Sequence, residues 1–255
     1  MKIVGIDLGS RSVKIVVFED DNMKESSIID TAKFYREYCS SSNGEIEIDF
    51  EKLNLNGFDQ IISTGYGRNN VNVSGGKKIV ELKAHLYGAI YTTGLRDFVL
   101  LDVGGQDSKI ILVDGGKMKD ILLNDKCAAS CGRYLENMSN VLGLKLSEMT
   151  RYSSGPVKLN STCAIFSESE LIGKISEGVD LPRLAAGVNY SLYKRIQPKL
   201  ASFRKDTLVV TGGVAKNSAF INFIKEEGIY KNVIVPRHTQ LNGAIGCCVW
   251  ALGKV

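Results

Sequence analysis

Two stretches of the chain place an aspartate and a lysine seven residues apart around a glycine turn. Val4-Gly5-Ile6-Asp7-Leu8-Gly9-Ser10-Arg11-Ser12-Val13-Lys14-Ile15 aligns without gaps on Val99-Leu100-Leu101-Asp102-Val103-Gly104-Gly105-Gln106-Asp107-Ser108-Lys109-Ile110, 95 positions later. In each copy an aspartate ends an apolar strand, a glycine follows two residues on, and a second strand begins. A glycine there lets backbone N–H groups approach an anion with no Cβ in the way. In the first copy Ser10 and Ser12 add hydroxyl donors, and Arg11 or Lys14 adds positive charge. That set suits phosphate. In the second copy Gly104 and Gly105 open the backbone, and Gln106 and Asp107 are of a type to orient an attacking water. Asp7 and Asp102 facing one phosphate chain would repel it. A Mg²⁺ between them, held mostly through water, removes the conflict. Turn capping would also account for the two aspartates, and an edge-strand surface charge for Lys14.

A third segment, Val209-Val210-Thr211-Gly212-Gly213-Val214-Ala215-Lys216-Asn217, runs an apolar strand into two glycines and a helix start. Gly212, Gly213 and Lys216 suit a nucleoside lying against backbone with its phosphates near a helix N-terminus. The P-loop and G-x-G-x-x-G patterns are absent, which argues against those nucleotide-binding classes.

The chain has six cysteines: Cys39, Cys127, Cys131, Cys163, Cys247 and Cys248. Cys127 and Cys163 have similar surroundings. Each stands at or just before a helical pattern, where free N–H groups favour thiolate and anionic sulfur. Cys131 falls four residues after Cys127, on one face if the helix is continuous, and reads as a buried thiol. Cys39, Cys247 and Cys248 read as packing residues. Glu81 and His85, at i and i+4, read as a helix-surface pair before metal ligands. His238 reads as a loop residue, and Phe34, Tyr35 and Tyr38 as core or a partner contact.

These groups need an alternating α/β frame to position them. Strands are expected at 3–8, 13–19, 26–35, 58–64, across 97–123, and at 207–211 and 232–235. Helices are expected at 77–92, through much of 128–203, and at 217–226 and 240–252. Residues 39–46 read as a polar loop and Lys77-Lys78 as a solvated helix start. The repeat suggests two similar halves, residues 1–95 with about 240–255 and residues 96–239, each offering one hairpin to a shared nucleotide cleft. The 255 residues carry 44% apolar and 24% charged side chains and a net charge of +4, ordinary for a globular chain. No basic run points to nucleic acid, and no apolar run reaches membrane-span length. Lys2 to Ile6 meets Asp7 too soon for a secretory signal. A cytoplasmic location is therefore expected, with reduced thiols.

Asp7-Leu8-Gly9-Ser10, Asp102-Val103-Gly104-Gly105-Gln106-Asp107 and Thr211-Gly212-Gly213 resemble the phosphate and adenosine motifs of the actin/Hsp70/sugar-kinase superfamily. That resemblance implies two RNase-H-like halves with ATP between them, and Gln240-Leu241-Asn242-Gly243-Ala244 as an element returning to the first half. Asn124-Asp125-Lys126-Cys127-Ala128-Ala129, Ser161-Thr162-Cys163-Ala164-Ile165-Phe166 and Thr64-Gly65-Tyr66-Gly67-Arg68-Asn69 closely resemble the activator component of 2-hydroxyacyl-CoA dehydratases and the ATPase subunits of benzoyl-CoA reductases.

This second resemblance implies an ATP-hydrolysing homodimer of anaerobic metabolism, bridged by one 4Fe–4S cluster on Cys127 and Cys163 of each copy. It implies a ferredoxin or flavodoxin donor and a dehydratase-type metalloprotein as acceptor. Cys127-Ala128-Ala129-Ser130-Cys131-Gly132 replaces the usual Cys-Ala-Ala-Gly-Thr-Gly, and Arg11 replaces a small polar residue. Those departures look closer to the reductases of double-cubane-cluster proteins. A small-molecule kinase of the N-acetylhexosamine type and a zinc-stapled dimeric nucleotide sensor are the rival readings.

Overall fold

A computed structural model describes residues 1–42, 45–69, 71–73, 75–124, 127–160 and 163–254. The chain divides into two compact units, Met1–Leu95 with Gln240–Val255, and Arg96–Thr239. In the first lie β1 (Lys2–Leu8), β2 (Ser12–Glu19), β3 (Asn22–Asp30), α1 (Thr31–Glu37), β4 (Cys39–Ser42), β5 (Glu45–Ile48), β6 (Gln60–Thr64), β7 (Val71–Asn72), β8 (Lys77–Lys78) and α2 (Glu81–Thr93). The second holds β9 (Phe98–Val103), β10 (Ser108–Asp114), β11 (Lys117–Asn124), α3 (Gly132–Val141), α4 (Leu146–Met149), α5 (Ala164–Ser176), α6 (Leu181–Ala201), β12 (Thr207–Thr211), α7 (Ser218–Glu226) and β13 (Asn232–Ile234). Helix α8 (Asn242–Ala251) returns to the first unit. Among the described residues no helix is long and apolar enough to cross a membrane.

The main sheets of the two units share one topology. Their strand orders are β3-β2-β1-β6-β8 and β11-β10-β9-β12-β13. In each, an antiparallel meander joins a parallel neighbour at its first strand. The central strands β1 and β9 are apolar and almost wholly buried, as expected of strands covered on both faces. The outer strands β3 and β11 are rich in Lys, Glu, Asp and Ser; exposed charge on an edge discourages pairing with another chain.

Helix α8 packs on β1 and α2 at backbone contact distance. A Cβ at Gly246 would lie 1.7 Å from the Ala84 carbonyl oxygen, and one at Gly88 would lie 2.0 Å from the Asn242 carbonyl oxygen. Gly246→Ala must therefore push α2 and α8 apart. The expected loss is on the order of 3 kcal/mol, read as a lower denaturant midpoint. Gly173→Ala in α5, where a Cβ meets nothing within 4 Å, is expected instead to raise stability by about 0.5–1 kcal/mol through helix propensity.

Three local expectations are corrected. Strand β3 covers 22–30 rather than 26–35, because the Asp30 side chain accepts a hydrogen bond from the Lys33 N–H at 3.1 Å and starts α1. The expected loop at 39–46 contains two antiparallel strands, β4 and β5; Asn43 and Gly44 lie outside the described residues. Ile48 of β5 is buried in the apolar cluster around Phe34, so alternation outweighs the Ser-rich composition. Lys77 and Lys78 pair in parallel with Ile62 and Ser63, and the helix starts only at Glu81. Main-chain pairing on a sheet edge is indifferent to side chains that point into water. Phe34 is fully buried and stacks on Tyr38, which places that aromatic cluster in the core.

Candidate functional site: two aspartate–lysine hairpins and two exposed cysteines

In the first unit, the β1–β2 register sets Asp7 opposite Lys14. The Lys14 Nζ stands 3.1 Å from Asp7 Oδ2. Asp7 is 2% exposed, and its Oδ1 has no hydrogen-bond partner within the protein. A buried carboxylate oxygen left without a donor is a site that a water or a hydrated cation can satisfy. Two glycines pack against this carboxylate: a Cβ at Gly65 would lie 2.7 Å from Oδ1, and one at Gly243 would lie 3.2 Å from Oδ2. Gly9 leaves room for the Lys14 ammonium, which a Cβ there would meet at 2.7 Å. Asp7, Gly9 and Lys14 thus come together. Ser10 and Arg11 are exposed, and the Arg11 guanidinium pairs with Asp30. The Lys33 N–H first, and Arg11 after it, hold the Asp30 carboxyl below its usual range.

In the second unit, the register sets Asp102 opposite Lys109. The repeat therefore reproduces the cross-strand pairing as well as the sequence. The second copy adds polar partners of its own. Asp102 Oδ1 accepts from Thr211 Oγ1 at 2.7 Å, and Lys109 Nζ lies 2.6 Å from Asp107 Oδ2. The Gly104 N–H donates to the Asp107 carbonyl at 2.9 Å and closes the turn. Parallel pairing of β12 with β9 sets Thr211 beside Asp102. Gly212 follows at φ +87°, where a Cβ would strike the Val103 carbonyl oxygen at 2.3 Å. Gly213 starts the 3₁₀ turn Val214–Lys216. Asp102, Gly104, Asp107 and Gly212 are thus gathered, while Gln106 and Lys216 are exposed. Gln240 is half-buried and belongs to the first unit. Lys109 and Thr211 were not among the candidate site residues. The alignment of Lys109 on Lys14 is the available signal for the first; for Thr211 the Thr211-Gly212-Gly213 motif marks the segment, but nothing local marks its pairing with Asp102, 109 residues away.

The second hairpin is also tied to the cysteine segment. Gly104 and Gly105 carbonyls accept from the Gly132 and Arg133 N–H groups at 2.9 and 2.8 Å. These are the first amides of α3, so the phosphate-type turn satisfies donors that a helix start leaves open. Cys127 stands immediately before the 3₁₀ turn Ala128–Ser130, and Cys163 immediately before α5. Both are exposed. Asp125, Lys126, Ser161 and Thr162 lie outside the described residues. The expected continuous helix from 128 is broken, and Cys131, fully buried, caps α3. It therefore does not share a helix face with Cys127. Its Sγ donates to the Ala128 carbonyl at 3.0 Å.

Burial separates the remaining thiols. It raises the Cys131 thiol, pushes Cys39 up to about 11 and Cys248 up to about 12, and holds Cys247 well above its ordinary value. Iodoacetamide at pH 8 is therefore expected to alkylate Cys127 and Cys163 of the native, iron-free chain while sparing Cys131, Cys247 and Cys248. Peptide mass mapping reads the order.

Glu81 and His85 are not a surface pair. His85 is 6% exposed, its Nε2 is 3.8 Å from Glu81 Oε1, and its carbonyl accepts from Asn242 Nδ2 at 2.8 Å. Helix α8, distant in sequence, covers it. His238, at φ +65°, lies outside every strand and helix. Among the described residues no three His, Cys, Asp or Glu side chains of one chain group as metal ligands.

The paired sheets and glycine turns define the chain as a protein of the actin/Hsp70/sugar-kinase fold. A glucokinase of the ROK family from Streptomyces griseus shares that fold at a TM-score of 0.56 and 12% identity, over 97% of this chain and 98% of the other. The chain belongs to the BadF/BadG/BcrA/BcrD ATPase family, whose profile matches residues 4–251. It is 36% identical to the activator of lactoyl-CoA dehydratase of Anaerotignum propionicum, over 98% of this chain and 97% of that one. The activator of the 2-hydroxyisocaproyl-CoA dehydratase from Clostridium difficile, solved with bound ADPNP, superposes at a TM-score of 0.86 with 29% identity, over 100% and 95% of the two chains.

Proposed function

We propose that the chain hydrolyses ATP and couples that hydrolysis to delivery of low-potential electrons from a 4Fe–4S cluster shared by two copies of itself. The acceptor is a dehydratase-type or double-cubane-cluster metalloprotein, and reduced ferredoxin or flavodoxin is the donor. The observation that carries the coupling is the pair of hydrogen bonds from Gly132 and Arg133 to Gly104 and Gly105. One turn thus serves both the phosphate chemistry and the helix beside Cys127. The likeness to dehydratase activators, one of them solved with bound ADPNP, supports the nucleotide half of the reading and a dehydratase-type partner.

The buried, unpartnered Oδ1 of Asp7 fits a hydrated Mg²⁺, with Asp102 as the second carboxylate. The metal would supply charge neutralisation on the phosphates. Backbone N–H groups at Gly9, Ser10, Arg11, Ser12 and Gly105, with Lys14, hold phosphate oxygens, and Gly104, whose own N–H closes the second turn, leaves the approach open. Gln106 and Asp107 orient water for attack on the γ-phosphorus, releasing ADP and phosphate. Gly212, Gly213, Lys216 and Gln240 hold the nucleoside.

Cys127 and Cys163 fit the cluster in donor chemistry: both sulfurs are exposed at the start of a helical turn, where N–H groups are open to anionic sulfur. Two ligands are half a set, and a second copy related by a twofold axis completes it. The cluster would supply one-electron storage at low potential. Anaerobic isolation with iron and sulfide reconstitution tests the reading. The expected product is a brown dimer with roughly two irons per chain, hydrolysing ATP and reducing its acceptor only while ATP lasts. A colourless chain that phosphorylates a sugar would establish the kinase instead. A colourless zinc dimer without ATP turnover would establish the sensor.

A further inference from the structure

Helix α6 buries most of one side against α3, α5 and α7, and Arg195 lies on that side between fully buried Tyr193 and nearly fully buried Ile196. A guanidinium taken partly out of water is unfavourable unless its donors and its flat faces are engaged. One donor and one face are engaged here. Its Cζ stands 4.2 Å from the centroid of the Tyr134 ring, which belongs to α3 and is fully buried. Its Nη2 donates to Ser167 Oγ at 2.8 Å, and Ser167 belongs to α5 and is fully buried.

The Ser167 hydroxyl passes the contact on. Ser167 Oγ donates to the Cys163 carbonyl at 2.9 Å, alongside the Ser167 N–H at the same distance. A hydroxyl that accepts from a cation becomes a stronger donor. Arg195 is therefore one side chain removed from the backbone of Cys163. On its other side, the Tyr134 N–H donates to the Cys131 carbonyl at 3.1 Å, in the turn that follows Cys127. One guanidinium thus contacts both helices that follow the two exposed cysteines. The planar fork is what permits it: arginine stacks on a ring while donating in its own plane, and lysine does not.

We propose that Arg195 is a positioning residue that sets the direction of the Cys163 sulfur relative to Cys127, acting through Ser167 on α5 and through the Tyr134 ring on α3. The inference rests on the reading of these cysteines as cluster ligands and deepens it. Positioning a metal ligand through the hydrogen bond on its far side is a general means of tuning a metal site.

The test uses the full chain with Arg195→Met, Arg195→Lys and Ser167→Ala. In the iron-free protein, exchange of the residue-167 amide, which donates to the Cys163 carbonyl, is expected to quicken about tenfold in Arg195→Met and in Ser167→Ala, the loss of one charge-assisted hydrogen bond. Arg195→Lys keeps the charge and is expected to restore protection only in part. In reconstituted protein, the electron paramagnetic resonance spectrum of the reduced cluster is expected to broaden or shift in both Arg195→Met and Ser167→Ala.

Ser167→Ala keeps the test decisive should Arg195→Met fail to fold. Exchange equal to wild type in the variants overturns the proposal. Faster exchange with an unchanged cluster spectrum also overturns it, by reducing Arg195 to a packing residue. If the wild-type chain takes up no iron, the cluster reading fails by itself; the exchange measurement on iron-free protein still decides whether Arg195 organises α5.

Discussion

Asp7→Asn lowers the rate of ATP hydrolysis by about a hundredfold or more, with a smaller change in KM, in the range set by losing one preorganised charge at a phosphoryl-transfer site. Asparagine keeps the shape of the side chain, so Gly65 and Gly243 still close around it. The substitution removes the negative charge that faces Lys14 at 3.1 Å and replaces one carboxylate oxygen by an amide. Lys14 is only 17% exposed in its side chain, so the lost ion pair also destabilises the hairpin, by roughly 1–3 kcal/mol. That loss leaves a chain of ordinary stability folded. A hundredfold fall therefore reports chemistry, and a preserved circular dichroism melt separates the two. Asp102→Asn is expected to be milder, because the Asn carbonyl can still accept from Thr211 Oγ1. Undiminished turnover in Asp7→Asn would exclude Asp7 from the reaction.

Cys163→Ser abolishes iron retention while sparing ATP hydrolysis. The side chain is exposed, so the exchange of sulfur for oxygen costs the fold within about 0.5 kcal/mol. A serine hydroxyl is not deprotonated at neutral pH and does not replace a thiolate on iron. Iron is expected to fall from roughly two atoms per chain to near zero. Cys131→Ser supplies the contrast. That thiol is fully buried and bonded to the Ala128 carbonyl, so the variant is expected to keep its iron with some loss of stability. Full iron content in Cys163→Ser, or its loss in Cys131→Ser, would move the ligand assignment from one cysteine to the other.

Much of the frame was legible locally. The repeat of Asp, Gly and Lys at equal spacing predicted two hairpins, and β1–β2 and β9–β10 pair Asp7 with Lys14 and Asp102 with Lys109 in the same register. Period-two alternation and a buried strand end are local properties of the chain, which is why the pairing could be read. The failures have one origin. Asp30 reads as strand because its role as a helix cap shows only in the turn geometry. Lys77 and Lys78 read as a helix start because their parallel partner, Ile62 to Ser63, is set by the sheet and by nothing beside them. Cys131 reads as part of a continuous helix because the acceptors of the first α3 amides, the Gly104 and Gly105 carbonyls, lie more than 25 residues earlier in the chain.

The sequence by itself determined the chemistry on offer: two carboxylate–glycine–lysine turns, a Gly-Gly strand end and two cysteines at helix starts. Residue type and short spacing suffice for that. Only the tertiary structure decided which of those groups meet others and which face water. Thr211 reaches Asp102 because β12 pairs with β9, His85 is covered because α8 returns from the far end of the chain, and Arg195 touches α3 and α5 because α6 packs beneath them. Burial and hydrogen bonding depend on which segments lie side by side in space, and contacts between residues tens of positions apart leave no periodic trace in either.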